Sequence, residues 1–140
     1  LADRRPGDQL PARIILRCAL TNTCEETDMS ELAEKHCKPC EGGVAPYSRE
    51  EAEKLMKQLA KEWVLSQAGP YLRREFKFKD FYRTMSFVNA LAHIANIEDH
   101  HPDLEVGYNY CRVQYTTHAI RGLSENDFIC AAKIDAIPLT

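Results

Sequence analysis

Asn96-Ile97-Glu98-Asp99-His100-His101-Pro102 is the stretch at which one pattern of the chain stops and another begins. Upstream, Phe81, Met85, Val88, Ala92 and Ala95 recur at steps of four and three, and Thr84, Phe87, Leu91 and Ile94 form a second stripe beside them. That periodicity predicts a helix from about Lys79 to Glu98. Downstream, Leu104, Val106 and Tyr108 alternate, Tyr108-Asn109 offers a turn, and Cys111, Val113, Tyr115 and Thr117 alternate with Arg112, Gln114 and Thr116. Period two predicts a hairpin that ends at His118. Two adjacent apolar stripes are wider than one sheet needs, so the helix should pack on its own sheet and meet another helix along its flank, in the same subunit or in a partner. His93 lies near these stripes and reads as a structural residue.

The same logic extends outward. Ser48-Arg49-Glu50-Glu51 is a capping box that opens a helix with the stripe Ala52, Leu55, Met56 and Leu59, expected to stop near Lys61. Trp63-Val64-Leu65 then begins a short strand, Gly69-Pro70 turns the chain, and Leu72, Arg74, Phe76 and Phe78 alternate with Arg73, Glu75 and Lys77 in a second strand. Beyond the break at Gly122, Ser124-Glu125-Asn126-Asp127 caps a last helix containing Phe128, Ile129, Ala131, Ala132 and Ile134. The order α-β-β-α-β-β-α predicts an α+β fold: a four-stranded antiparallel sheet with three helices packed on one face.

With 140 residues, 44% hydrophobic and 28% charged, the chain suits one domain with a core of its own. A net charge of -3 without a basic patch argues against nucleic acid as a partner. Apolar runs such as Ile14-Ile15-Leu16 are far too short to cross a bilayer. The six cysteines are irregularly spaced, and Cys111 and Cys130 fall inside strand and helix patterns, which favours a reduced, cytoplasmic protein over a disulfide framework. Cys37-Lys38-Pro39-Cys40, beside His36, supplies too few ligands for zinc unless Cys18, Cys24 or another chain contributes, and no thioredoxin-like pattern surrounds it. It reads as a Pro-containing turn before Gly42-Gly43. Residues 1–28, with Pro6, Gly7 and Pro11, show no signal-peptide layout and read as a non-native or flexible extension; as part of a transit segment they would imply an organelle instead. On this reading the native start is at or near Met29, residues 29–46 are a leader with a CxxC turn, and residues 47–140 are the domain.

His100 and His101 end the long helix, His118 ends the fourth strand, and the topology can gather all three at one sheet edge with Asp127 nearby. Such a cluster suits proton transfer near neutral pH, because a carboxylate can fix an imidazole tautomer. Three histidines and an aspartate could also hold zinc, but adjacent histidines at a helix end lack the i, i+4 spacing of helical zinc motifs. Taken singly, His-His-Pro can be a polar helix end and Asp127 the N3 carboxylate of a cap.

Together these residues resemble the pterin-4a-carbinolamine dehydratases. The resemblance runs from Tyr47 to Ile137 and rests on Phe76-Lys77-Phe78-Lys79-Asp80-Phe81, His100-His101-Pro102, Tyr108-Asn109, Thr116-Thr117-His118 and Gly122-Leu123-Ser124 through Asp127, with the His101, His118 and Asp127 spacing kept without a gap. The segment from Cys37 to Gly43 is similar to a leader of some microbial and plastid members. The resemblance implies a lyase that dehydrates 4a-hydroxytetrahydrobiopterin to quinonoid dihydrobiopterin, recycling the cofactor of aromatic amino acid hydroxylases, with no metal or organic cofactor of its own. It implies that His100 and His118 act as acid and base, that His101 orients the pterin, and that Asp127 holds a histidine. Asp99, Pro102, Thr116, Thr117 and Ala119 would line the pocket. One departure stands out: four residues before His100 the family often has a glutamate where this chain has Asn96, which can hydrogen-bond substrate but cannot act as a base. Glu98 points elsewhere on the helix. The resemblance also implies homodimers or homotetramers, and in some members a non-catalytic role as a coactivator that docks a partner through the long helix.

Overall fold

The structure is a computed structural model and describes residues 31–40 and 42–139; the expected extension, the start at Met29, and Cys18 and Cys24 lie outside the described residues. Its elements are α1 (Glu31–Glu34), α2 (Arg49–Met56), β1 (Val64–Leu65), β2 (Leu72–Lys77), α3 (Phe81–Glu98), β3 (Asp103–Val106), β4 (Tyr110–Tyr115), a 3-10 turn (His118–Ile120) and α4 (Glu125–Asp135). The four strands form one antiparallel sheet in the order β1-β2-β4-β3, so the two expected hairpins sit side by side and are joined through β2 and β4. The fold is α+β, with α2, α3 and α4 as the main helices.

Alternation decides which side of the sheet the helices cover. Leu72, Phe76, Cys111, Val113 and Tyr115 point inward and are buried against Phe87, Leu91, Phe128, Ile129 and Ile134 from α3 and α4. The other face is polar, and there Arg112 bridges Glu75 on one neighbouring strand and Glu105 on the other, each at 2.5 Å. Register places these three residues directly opposite one another, so the charge ladder and the apolar face specify the same pairing. Leu104 and Val106 of β3 lie on the helix side yet remain exposed. Among the described residues, no helix is long and apolar enough to cross a membrane.

Several boundaries differ from the sequence expectations. The cap of α2 is as expected, with Ser48 Oγ accepting from Glu51 N and Glu51 accepting from Ser48 N. The helix nevertheless ends at Met56 rather than near Lys61, because its last turn tightens through Gln58 N to Leu55 O and Leu59 N to Met56 O. Trp63 precedes β1 and is buried, and Phe78 lies beyond the end of β2. The long helix starts at Phe81 because Asp80 caps it, accepting from Arg83 N at 2.9 Å. Its buried stripe is Thr84, Phe87, Leu91, Ala95 and Glu98, whereas Phe81 and Ala92 of the other stripe are exposed. The expected helix contact along its flank is made by α4 of the same chain. His93 is exposed. At the second hairpin, β4 ends at Tyr115, not His118; Thr117 bridges to Gly122, and His118 opens a 3-10 turn between them. Tyr108 lies in the hairpin loop and is exposed.

Two carboxylates tie distant pieces together. Asp135, at the end of α4, accepts from Ala60 N at 3.0 Å, from Trp63 Nε1 at 2.8 Å and from the Arg74 guanidinium. Glu98, at the end of α3, has a side chain only 3% exposed; it accepts from Cys37 N at 2.8 Å and Lys133 Nζ at 3.2 Å, and its Oε1 lies 3.1 Å from His36 Nδ1. The segment after α1 is thereby held to α3, while Leu32 is buried and α1 packs on α4.

Asp135→Ala strands the Trp63 indole N–H and the largely buried Arg74 and is expected to cost about 2–3 kcal/mol, measured by urea unfolding with the Trp63 emission as probe. Glu98 gives a pH signature. Burial pushes its carboxyl up, but the Cys37 amide and the Lys133 and His36 contacts together hold it below its usual range. Its stabilisation is therefore fully present above the ordinary carboxylate pKa of about 4.3 and is lost as pH falls through the lower folded value. The difference in Tm between wild type and Glu98→Gln should accordingly be constant at neutral pH and narrow on the acid side.

Candidate functional site

The C-terminus of α3 sets the position of the first histidine. Asp99 caps the helix in the left-handed region (φ 48, ψ 40), and both its amide and that of His100 donate to Ala95 O. A short polar side chain tolerates that conformation better than most. The reversal turns His100 inward: the residue is 8% exposed, its ring stacks on Tyr115 at 5.7 Å and 8°, and its Nε2 lies 2.7 Å from Asp127 Oδ1.

Asp127 is fully buried, and both of its oxygens are used. Oδ2 accepts from Thr117 Oγ1 at 2.8 Å and from Ser124 N at 2.9 Å. Thr117 has one hydroxyl proton, so giving it to Asp127 leaves its oxygen to accept from Ser124 Oγ, 2.8 Å away. Asp127 is at the N3 position of α4, where the helix dipole favours a negative charge. Every group around the carboxylate thus donates to it. A carboxylate that only accepts calls for a proton on His100 Nε2, and in the neutral imidazole Nδ1 then keeps its lone pair.

The other two histidines have different surroundings. His101 is exposed and its Nε2 lies 3.2 Å from Asn96 Oδ1, one turn back on α3. His118 has a side chain 76% exposed with Nε2 4.0 Å from Asp103 Oδ2. Asp103 opens β3 two residues after His101, so the turn after β4 and the turn after α3 meet at one end of the sheet. Gly122 closes the 3-10 turn where a side chain would not fit: a Cβ there would stand 2.3 Å from Pro46 Cβ.

The residues singled out from the sequence therefore divide in three. His100, Thr117 and Asp127 form one buried hydrogen-bonded unit. Asn96 and His101 form a surface pair, with Asp99 exposed and Pro102 half-buried beside them. His118 and Ala119 are exposed on the 3-10 turn, and Thr116 donates to Pro70 O at 2.8 Å. Asp127 has both roles read for it, as a histidine partner and as a cap carboxylate reaching back to Ser124 N. Sequence reasoning missed Tyr115, which appears there only as an inward strand position, and Ser124, which appears only as a cap. It also missed that Cys37 is not a free turn residue: its Sγ is 3.5 Å from Cys130 Sγ, and this contact together with burial pushes the thiol well up. A cavity of about 250 Å³ adjoins the unit, lined by Lys38, Cys40, Tyr47, Ile120, Ser124 and Asn126 among others.

The chain is similar to known proteins over most of its length. The family model described as pterin 4 alpha carbinolamine dehydratase matches residues 45–137, a span that contains all four of His100, His101, His118 and Asp127. A protein of Nitrosomonas eutropha, provisionally named a pterin-4-alpha-carbinolamine dehydratase, is 60% identical over 111 residues, covering 79% of this chain and 96% of its own length. A similarly named protein of Legionella pneumophila is 56% identical over 108 residues, covering 77% of this chain and 96% of its own. Among solved structures, a transcriptional coactivator/pterin dehydratase from Brucella melitensis superimposes with a TM-score of 0.63 at 32% identity, covering 66% of this chain and 97% of that one. The chain belongs to the pterin-4-alpha-carbinolamine dehydratase family.

Proposed function

We propose that this protein is a hydro-lyase that removes water from 4a-hydroxytetrahydrobiopterin to give quinonoid dihydrobiopterin, and so returns the pterin to the cycle that serves aromatic amino acid hydroxylases. The observation that carries the reading is the buried His100–Asp127 pair at 2.7 Å beside two exposed histidines. In the reaction the C4a–O bond breaks, N5 loses its proton, and a C4a–N5 double bond forms as water leaves. One group must therefore take a proton and another must give one, which is within reach of imidazoles at neutral pH. His100, fixed by Asp127 with Nδ1 unprotonated, is suited to accept. His118, open to solvent, is suited to donate to the departing hydroxyl and to be reprotonated between turnovers. His101, steadied by Asn96, would orient the pterin, with Asp99, Pro102, Thr116 and Ala119 around it.

Assembly is part of the proposal. The outer edge of β3 has no partner strand among the described residues, and Leu104, Val106, Tyr108 and Phe81 are exposed beside it, which favours a homodimer or homotetramer. The same apolar surface, together with the coactivator description of the Brucella melitensis relative, supports a second reading as a protein-binding module. Partner binding that survives loss of the histidines would favour that module. A cytoplasmic location is proposed on the sequence alone.

The test is the ultraviolet-monitored dehydration of 4a-hydroxytetrahydropterin by wild type, His101→Ala and His118→Ala, each with and without chelator. The expected result is a chelator-insensitive wild type with both variants slowed about 100-fold or more. A wild type no faster than solvent would sink the enzymatic reading.

A further inference from the structure

The CxxC segment is the one sequence motif that the proposed chemistry does not use, yet it touches both sides of the buried pair. On one side, Cys37 N donates to Glu98 Oε2, and Glu98 stands two residues before His100. On the other, Lys38 N donates to Asn126 Oδ1 at 3.1 Å while Asn126 Nδ2 donates to Lys38 O at 2.7 Å, and Asn126 immediately precedes Asp127. Asn126 Nδ2 also lies 3.0 Å from Cys40 Sγ, and Cys37 Sγ rests on Cys130 of α4. Both anchoring side chains are buried.

We infer that residues 36–40 form a strap whose anchors, Glu98 and Asn126, are positioning residues that fix the end of α3 and the start of α4 at the separation the His100–Asp127 hydrogen bond requires. This rests on the proposed acid/base reading for its consequence in turnover, but not for its effect on the pair itself. The physical reason is directional. The apolar contact of Leu32 in the preceding α1 tolerates sliding, whereas the two-way amide pair of Asn126 with Lys38 and the amide-to-carboxylate bond of Glu98 each admit one register. His100 follows a left-handed residue at a helix end, where the chain has the most freedom to move. Displacing either end by an ångström would lengthen a 2.7 Å bond beyond useful range. Glu98 is thus a buried anchor beside the site rather than a replacement for the glutamate that Asn96 displaces.

The test is a double-mutant cycle on the full chain. Glu98→Ala and Asn126→Ala are each expected to lower kcat about 10-fold with KM changed less than about 2-fold, and each to add less than about 2-fold in an Asp127→Asn background. Glu98→Gln, which keeps an acceptor for the Cys37 amide, should recover most of the loss. Additive losses in the Asp127→Asn background, or losses confined to KM, would overturn the inference. A readout independent of turnover is the downfield proton resonance of the His100 Nε2–H, present in wild type and absent in Asp127→Asn. It should shift and exchange faster in Glu98→Ala and Asn126→Ala. Its persistence unchanged in both would overturn the strap, whereas an inactive wild type with the expected shifts would overturn only the proposed reaction. Should Glu98→Ala not fold, Asn126→Ala, which leaves the charge pairs of Glu98 intact, carries the same comparison.

Discussion

The hydrogen bond from His100 to Asp127 is the constraint on which the rest of the site depends. A carboxylate with no solvent exposure is expensive unless donors surround it, and here three groups supply them, His100, Thr117 and the Ser124 amide, with the α4 helix dipole adding its field. Removing one partner from such a unit typically costs about 3–5 kcal/mol, because the charge remains buried and unpaired. The fold meets that demand with elements from three places in the chain. The left-handed Asp99 delivers His100, the end of β4 delivers Thr117 and Tyr115, and the cap of α4 delivers Ser124 and Asp127.

Burial also separates three histidines that look alike in the sequence. His100 is sequestered with Nε2 turned to Asp127, whereas His101 and His118 keep contact with solvent. A dehydration that moves one proton off nitrogen and another onto oxygen needs such inequality, since identical groups would favour neither direction of transfer. The family resemblance located these residues; their environments give the proposed division of labour its physical basis.

Local signals were legible in the sequence wherever structure follows from local periodicity or capping. The capping box at Ser48 and Glu51, the inward alternation of Cys111, Val113 and Tyr115, and the helical stripe through Thr84, Phe87 and Leu91 all depend on spacing alone. What spacing does not encode is where a polar side chain finds a partner far along the chain. Asp135 reaches back to Ala60 and Trp63 and holds the chain just beyond the early end of α2. Glu98 reads as one more polar residue at a helix end, yet it is nearly as buried as the core because the amide of Cys37 meets it. The strand expected to reach His118 stops at Tyr115 because the Thr117–Gly122 bridge folds the intervening residues into a 3-10 turn, a closure that depends on Gly122 lying against Pro46.

The most direct measurement of the arrangement at the centre of the site is neutron diffraction from a deuterium-exchanged crystal at mildly alkaline pH. A deuteron on His100 Nε2 directed at Asp127 Oδ1, with none on Nδ1, is the expected result and would leave Nδ1 as the group that meets substrate. A deuteron on Nδ1 with Asp127 itself protonated would contradict it, since the buried pair would then hold His100 in the opposite tautomer and could not present an acceptor at that nitrogen.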